Sequence, residues 1–302
     1  MFKYFVKRLL LAVVTLFVVI GVTFFAMNAV PGGPFDSEKA PSEEVKAILE
    51  ERYNLNKPLP EQFVLYLGNI LHGDFGVSIK TGRSISSTIA SSFKVSAAIG
   101  WRAILVAVFF GILLGCTAAH FSQRWPDRLI VFLSSLLVSV PGFVIASVLM
   151  LVFCLELKLV PVWSAENTSY VLPVIALSLS PMANIIRFSK AGMLDALGQN
   201  YVRTARAEGI PGWKIQFKYA LRNAAIPIIT YIGPMAAGVL TGSVVIETVF
   251  TIGGLGSQFV AAITNRDYSL ILGVTIFMSI VIVLITFISD VVYKAIDPRI
   301  KF

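Results

Sequence analysis

Charge is what this sequence has least of. Only 14% of its 302 residues are Asp, Glu, Lys or Arg, where a soluble domain carries about a quarter. Hydrophobic residues make up 56%, so a large soluble core is excluded and an integral membrane protein is implied. Cysteine is nearly absent. Cys116 and Cys154 each lie inside an apolar segment, and no disulfide is expected between them. The two histidines, His72 and His120, are far apart and have no metal-ligand spacing, so no metal is expected. The sequence lacks G-x-x-x-x-G-K-[ST], the loop that cradles nucleotide phosphates. It also lacks G-x-S-x-G and H-E-x-x-H, which removes two hydrolase signatures. Ionisable residues are almost missing from the apolar segments, whereas gradient-driven carriers keep carboxylates or histidines there. The chain reads as a pathway that carries no engine of its own.

What it does have is long apolar runs. Residues 9–30 carry no charge, and a helix needs about 20 apolar residues to cross the hydrocarbon. The basic start and Ala26-Met27-Asn28-Ala29 imitate a secretory signal. The apolar region of such a signal is only about 7–15 residues, so a retained anchor is expected. Further runs at 103–121, 129–155, 170–186, 223–246 and 268–289 give six transmembrane helices. Pro141, Pro173, Pro181, Pro227 and Pro234 fall within them. Backbone groups freed by proline need partners in neighbouring helices or a wet cavity. Broken helices in a pathway-forming bundle are therefore expected, with simple kinking as the alternative.

Lys and Arg set the orientation. With the N-terminus inside, the inner segments hold 15 basic and 5 acidic residues, and the outer ones 10 and 12. This positive-inside bias accounts for the net charge of +8 without nucleic acid. It places both termini in the cytoplasm. Trp101, Trp125, Trp163 and Trp213 fall outside the runs or at their edges, where indoles prefer to sit.

Residues 1–30 then form the N-terminus and first span, 31–102 an external helical segment, and 103–302 the core with a cytoplasmic loop at 189–222. In the external segment, Ser42 before Glu43 and Glu44 reads as a capped acidic helix start. Val45, Ile48, Leu49 and Tyr53 follow at helical spacing. Pro60-Glu61 opens a second run with Phe63, Leu67 and Leu71. Ile85, Ile89 and Phe93 make a third face beyond Gly73, Gly76 and Gly82. Together they predict a small helical cap that shields the bundle or receives a partner. Gly253-Gly254-Leu255-Gly256 follows a membrane helix rather than a strand, so it reads as a turn or re-entrant element and not as a phosphate cradle.

The most informative stretch is a polar, basic island at 200–230. Asn200 can cap a helix, Gly209 suits the left-handed position that ends one, and Pro211 suits the first turn of the next. Two short helices around a Gly-x-Pro elbow are expected at a membrane surface. A merely solvated basic loop is the plainer alternative.

Tyr201-Val202-Arg203-Thr204-Ala205-Arg206-Ala207-Glu208-Gly209 resembles the "EAA" loop in the membrane subunits of bacterial binding-protein-dependent ABC importers. Arg203 and Thr204 stand where Glu and Ala are general, and Arg222 where proline is usual. These departures resemble the peptide-importer branch. Val30-Pro31-Gly32-Gly33-Pro34-Phe35, His72-Gly73-Asp74-Phe75-Gly76, Thr241-Gly242-Ser243-Val244-Val245-Ile246-Glu247-Thr248, Asn265-Arg266-Asp267-Tyr268-Ser269-Leu270 and Ile296-Asp297-Pro298-Arg299-Ile300 are similar to the B-type permease subunits of oligopeptide and dipeptide importers. The resemblance covers nearly the whole chain.

It implies an all-α integral membrane protein of the type I ABC importer permease fold. That fold has six transmembrane helices, a helical external segment after the first, and a cytoplasmic coupling helix. It implies the bacterial plasma membrane, a homologous second permease subunit, two ABC ATPase subunits and an external peptide-binding protein. ATP and Mg would sit in the ATPase partners, leaving this chain without a cofactor and not an enzyme. Tyr201, Arg203, Thr204, Ala205, Arg206, Ala207, Glu208, Gly209 and Pro211 would form the ATPase-coupling loop. There Ala205, Ala207 and Gly209 permit close approach, and Arg203, Arg206 and Glu208 supply charge-assisted hydrogen bonds. Ser180, Asn184 and Arg187, on one helical face, and Thr241, Ser243 and Glu247 are candidates to line the translocation path. Hydrogen bonding between helices is their other role. Dipeptides, nickel chelates, haem or signalling peptides remain alternative cargoes. A secondary transporter needs inverted repeats or buried ionisable residues, neither of which is evident. A membrane scaffold without transport is the third reading.

Overall fold

Long apolar segments become helices here because a helix satisfies its own backbone in lipid. The computed structural model describes residues 2–29, 56–164 and 167–296. The helix predicted after Ser42 and the motif at 30–35 lie outside the described residues, as does the motif at 296–300 beyond its first residue. Helix α1 is Phe2–Ala29, α2 Leu59–Leu71, α3 Ile85–His120, α4 Trp125–Ser139 and α5 Gly142–Leu149, which widens into a π-helical turn over Met150–Glu156. Then come α6 Val171–Leu197, α7 Asn200–Ala207 and α8 Gly212–Lys214. A second π-helical turn, Ile215–Ala220, leads from α8 into α9 Leu221–Leu240. The chain closes with α10 Val244–Val249, α11 Leu255–Thr264 and α12 Tyr268–Ile296.

Five helical runs are long and apolar enough to cross a membrane: Phe5–Ala29, Ile85–His120, Val171–Leu197, Gly212–Val249 and Tyr268–Lys294. Counted as one span, α4 and α5, bent by 102° where they meet, make a sixth candidate crossing. This corrects the single run expected over 129–155. Val140 is extended, with φ −84° and ψ 127°, because the residue before a proline is pushed out of the helical region. Of the five prolines only Pro141 breaks its helix. Pro181, Pro227 and Pro234 lie inside helices, and Pro173 lies in the first turn of α6, where its missing N–H costs nothing.

Small residues bring the helices together. Ala103, Ala107, Gly111 and Gly115 are buried along α3. A Cβ on Gly111 would stand 2.6 Å from Ile185 Cγ2, and one on Gly115 2.4 Å from Ser189 Cβ, so α3 and α6 touch nearly backbone to backbone. Without a hydrophobic force between helices in lipid, such close packing drives their association. Ile99, Ile185, Ile228 and Val239 fill the space where α9 joins the pair. Asp127 Oδ1 meets Lys190 Nζ at 2.5 Å, tying the start of α4 to α6. Arg8 Nη1 meets Asp290 Oδ2 at 2.8 Å, joining α1 to the far end of α12. Cys116 and Cys154 are free and buried.

The segment expected to lie outside differs from expectation. Ile85, Ile89 and Phe93 do not form a separate cap helix. They belong to the first turns of α3, which runs on past residue 102. Ile85 and Ile89 are buried with Leu255, Ala262, Leu270 and Ile271, and Phe93 meets Phe277 edge-on at 5.0 Å. The loop before α3 is pinned by Asp267. Its carboxylate accepts from the Ser78 hydroxyl, from Ile79 N–H at 3.3 Å and from Leu270 N–H at 3.2 Å.

Candidate coupling elbow and polar helix face

Helix α7 starts after Gln199, which makes no side-chain cap bond. Asn200 is therefore the first helical residue and not the cap expected of it. The helix ends as Gly209 predicts. Gly209 has φ +74°, its N–H donates to Arg206 O at 3.1 Å, and Ile210 N–H donates to Ala205 O at 3.1 Å. This paired pattern is the Schellman stop. Ile210 closes over Val202, Ala205 and Ile215, the apolar contact that usually completes it. Pro211 then caps α8, its carbonyl accepting from Lys214 N–H at 2.9 Å and Ile215 N–H at 3.2 Å.

The elbow is anchored from below. Asn223 Nδ2 donates to Tyr201 Oη at 2.8 Å, and Gln216 Nε2 donates to Cys116 O at 3.4 Å. Tyr201, Arg203, Thr204, Arg206, Ala207, Glu208, Gly209 and Pro211 are exposed. Ala205 is only 3% exposed. It packs on its own chain, a correction to the expectation that it offers a close approach to a partner. Arg203, Arg206 and Glu208 have no ion-pair partner among the described residues.

A second feature escaped the sequence reading. Asn223, Pro227, Thr230, Pro234 and Gly238 are exposed along α9, at spacings that put them on one helical face. No large apolar side chain of α9 is exposed. Helix α1 by contrast exposes Leu10, Val13 and Phe17, and α3 exposes Leu105, Phe109 and Leu113. Those faces suit lipid; the open face of α9 does not. Beside it on α6, Ser180 is open, while Asn184 Nδ2 donates to Tyr231 Oη at 3.0 Å and Arg187 Nη2 to Ser135 Oγ at 3.2 Å. The signal was present in the sequence as polar, small and proline residues recurring at helical spacing.

Residues 108–302 match the family described as the inner membrane component of binding-protein-dependent transport systems, and residues 1–107 match its N-terminal part. The chain belongs to this family. It is 43% identical over the full length of both chains to the oligopeptide transport system permease protein OppB of Haemophilus influenzae. It is 40% identical to the dipeptide transport system permease protein DppB of Bacillus subtilis, covering all of this chain and 98% of the relative. An inward-facing structure of the MetNI methionine ABC transporter contains a chain of like fold. The TM-score is 0.52 at 15% identity, over 69% of this chain and 96% of that one. The permease thus has the all-helical fold of an importer membrane subunit.

Two of this permease's proposed path residues turn inward. Thr241 is buried, its hydroxyl donating to Ala237 O at 3.0 Å and Gly238 O at 3.1 Å. Glu247 is 3% exposed. Its Oε1 accepts from the Ser96 hydroxyl at 2.6 Å and its Oε2 from Ser257 N–H at 2.9 Å. Ser243 caps α10, accepting from Ile246 N–H at 3.3 Å. The crevice lined by Ser243 and Glu247 holds no space for a water molecule. In this conformation Thr241 and Glu247 do not line a path, because neighbouring helices cover them. Among the described residues no group of three or more His, Cys, Asp or Glu is placed to hold a metal.

Proposed function

We propose that this permease subunit carries oligopeptides across the bacterial plasma membrane by alternating access, driven by ATPase subunits that dock on the elbow. The observation that carries the reading is the elbow itself. A firmly stopped short helix presents Arg203, Arg206 and Glu208 outward, and its exit leads directly into the run Gly212–Val249. That same run bears the polar face of α9. A displacement imposed on the elbow therefore passes as rigid-body motion to the wall of the path.

When ATP closes the two ATPases, their grooves draw the elbows of this subunit and a homologous second permease together. The bundle then shifts its population from inward-open to outward-open. Arg203 and Arg206 engage acceptors on the ATPase, and Glu208 engages donors. Thr230 and Asn223 offer neutral hydrogen bonds to a passing peptide main chain, and the prolines keep that wall free of bulky apolar groups. An external binding protein delivers the peptide, and both termini lie in the cytoplasm, in keeping with the positive-inside charge. The peptide cargo is supported by the two permease relatives, at 43% and 40% identity. Hydrolysis in partner subunits agrees with a sequence that has no phosphate-binding loop.

The test is reconstitution of this chain with the second permease, the ATPases and the binding protein in vesicles. ATP-dependent uptake of a labelled peptide is expected. Uptake that survives ATP depletion and stops when the proton gradient collapses would overturn the mechanism. ATP-driven uptake of a nickel chelate or haem but no peptide would overturn the cargo.

A further inference from the structure

We propose that Glu247 is the positioning residue of an outer latch: it holds α11 against α3, and the transport cycle requires that hold to release. The inference rests on the importer reading above. The run Gly212–Val249 begins at the elbow, so α10 and α11 lie at the opposite end of the bundle. There Glu247 of α10 and Ser96 of α3 together occupy the first N–H groups of α11. Leu255 N–H donates to Ser96 Oγ at 2.7 Å, Ser257 N–H donates to Glu247 Oε2 at 2.9 Å, and the Ser96 hydroxyl joins the two by donating to Glu247 Oε1 at 2.6 Å. Every one of these donors is neutral.

Three glycines wrap the carboxylate. A Cβ on Gly242 would stand 2.6 Å from Oε1, one on Gly254 2.5 Å from Oε2, and one on Gly256 3.1 Å from Oε2. Gly242 also has φ +96°. The backbone has thus been shaped around this one side chain. Glu247 has no cation partner among the described residues, a buried carboxylate without one is costly, and an ionisable group inside a membrane-spanning run marks function by default.

A second observation is independent of the carboxylate. Helix α11 is bracketed by Thr251 at φ +55° and Arg266 at φ +54°, both non-glycine residues in the left-handed region. Such strain collects at switch elements, where a segment moves between two arrangements. Apart from the latch, α11 is held by apolar packing on two sides: Leu255 and Ala262, the latter 1% exposed, meet Ile85 and Ile89 of α3 and Leu270 and Ile271 of α12.

Ala262→Cys is the reporter, because both native cysteines are buried. The whole complex in nanodiscs is treated with a membrane-impermeant maleimide, at rest and when trapped with ATP and loaded binding protein. At rest the reporter should stay nearly unlabelled. Glu247→Gln should raise its resting rate roughly tenfold, the scale of one charge-assisted hydrogen bond, with Ser96→Ala in between. ATP trapping should expose the reporter in the otherwise wild-type chain. A control cysteine at Ala107, buried between α3 and α6, should stay unlabelled throughout. If Glu247→Gln exposes the control as well, Ser96→Ala decides. Unchanged labelling in Ser96→Ala, or no labelling on ATP trapping in a complex that still imports peptide, overturns the latch while leaving the importer reading intact. Absence of ATP-dependent uptake in the unmodified complex would instead sink the importer reading.

Discussion

Substitutions at Gly209 isolate the shape of the elbow from its surroundings. Its φ is +74°, and nothing stands within 4 Å of where a Cβ would be. Alanine there clashes with nothing and costs only backbone strain, about 1–2 kcal/mol. Valine costs more, because a β-branched residue at positive φ is a genuine outlier. Asparagine tolerates the left-handed region. Helix α7 has 8 residues, too few to be stable alone, so the strain falls on the fraction of elbow that is formed. A loss of 1–2 kcal/mol changes that equilibrium by roughly 5–30-fold. The assay is ATP hydrolysis by the reconstituted complex, stimulated by peptide-loaded binding protein. Immunoblotting measures the amount of chain inserted. Stimulation should fall in the order wild type, asparagine, alanine, valine, with insertion unchanged. Full stimulation in the valine variant would refute the reasoning.

Three further outcomes follow from other parts of the structure. Gly115→Ala should lower the melting temperature of the purified permease, because its Cβ would come 2.4 Å from Ser189 Cβ and overpacking costs about 1–3 kcal/mol; Gly238→Ala, with nothing within 4 Å, is the matched control and should melt normally. Tyr66→Phe should leave stability unchanged or raise it, since the Tyr66 hydroxyl is buried without a hydrogen-bond partner among the described residues and burial pushes its ionisation above the ordinary tyrosine range; a lower melting temperature would contradict this. Thr230→Leu should cut peptide uptake several-fold without reducing the inserted chain, and Thr230→Ser should stay near normal; equal uptake in both would remove the open face of α9 from the path.

The six apolar segments were legible because lipid imposes both helix and length. The stop at Gly209 was legible because only a left-handed position explains a glycine between a helix former run and Pro211. Asn200 misled because a cap depends on the backbone around Gln199, not on the residue type alone. The bend at Pro141 could not be told from Pro181 or Pro227, since each has the same local chemistry and differs in what packs beside it. Ile85 and Ile89 carried the correct apolar face, but the sequence does not say that α3 runs unbroken through a charged residue such as Arg102. From sequence, Glu247 reads as a polar group near a span end. Its burial depends on Ser96 and Ser257, 151 and 10 residues away, a pairing that spacing cannot show.

The central claim is that this chain takes its motive force through the elbow. A photo-crosslinking amino acid at Ala207, an exposed elbow position, tests it in membrane vesicles that contain the whole transport complex. Mass spectrometry of the adduct should identify a nucleotide-hydrolysing subunit, with a yield that changes on adding ATP. An adduct to the external binding protein, or no protein adduct while transport continues, would contradict the account.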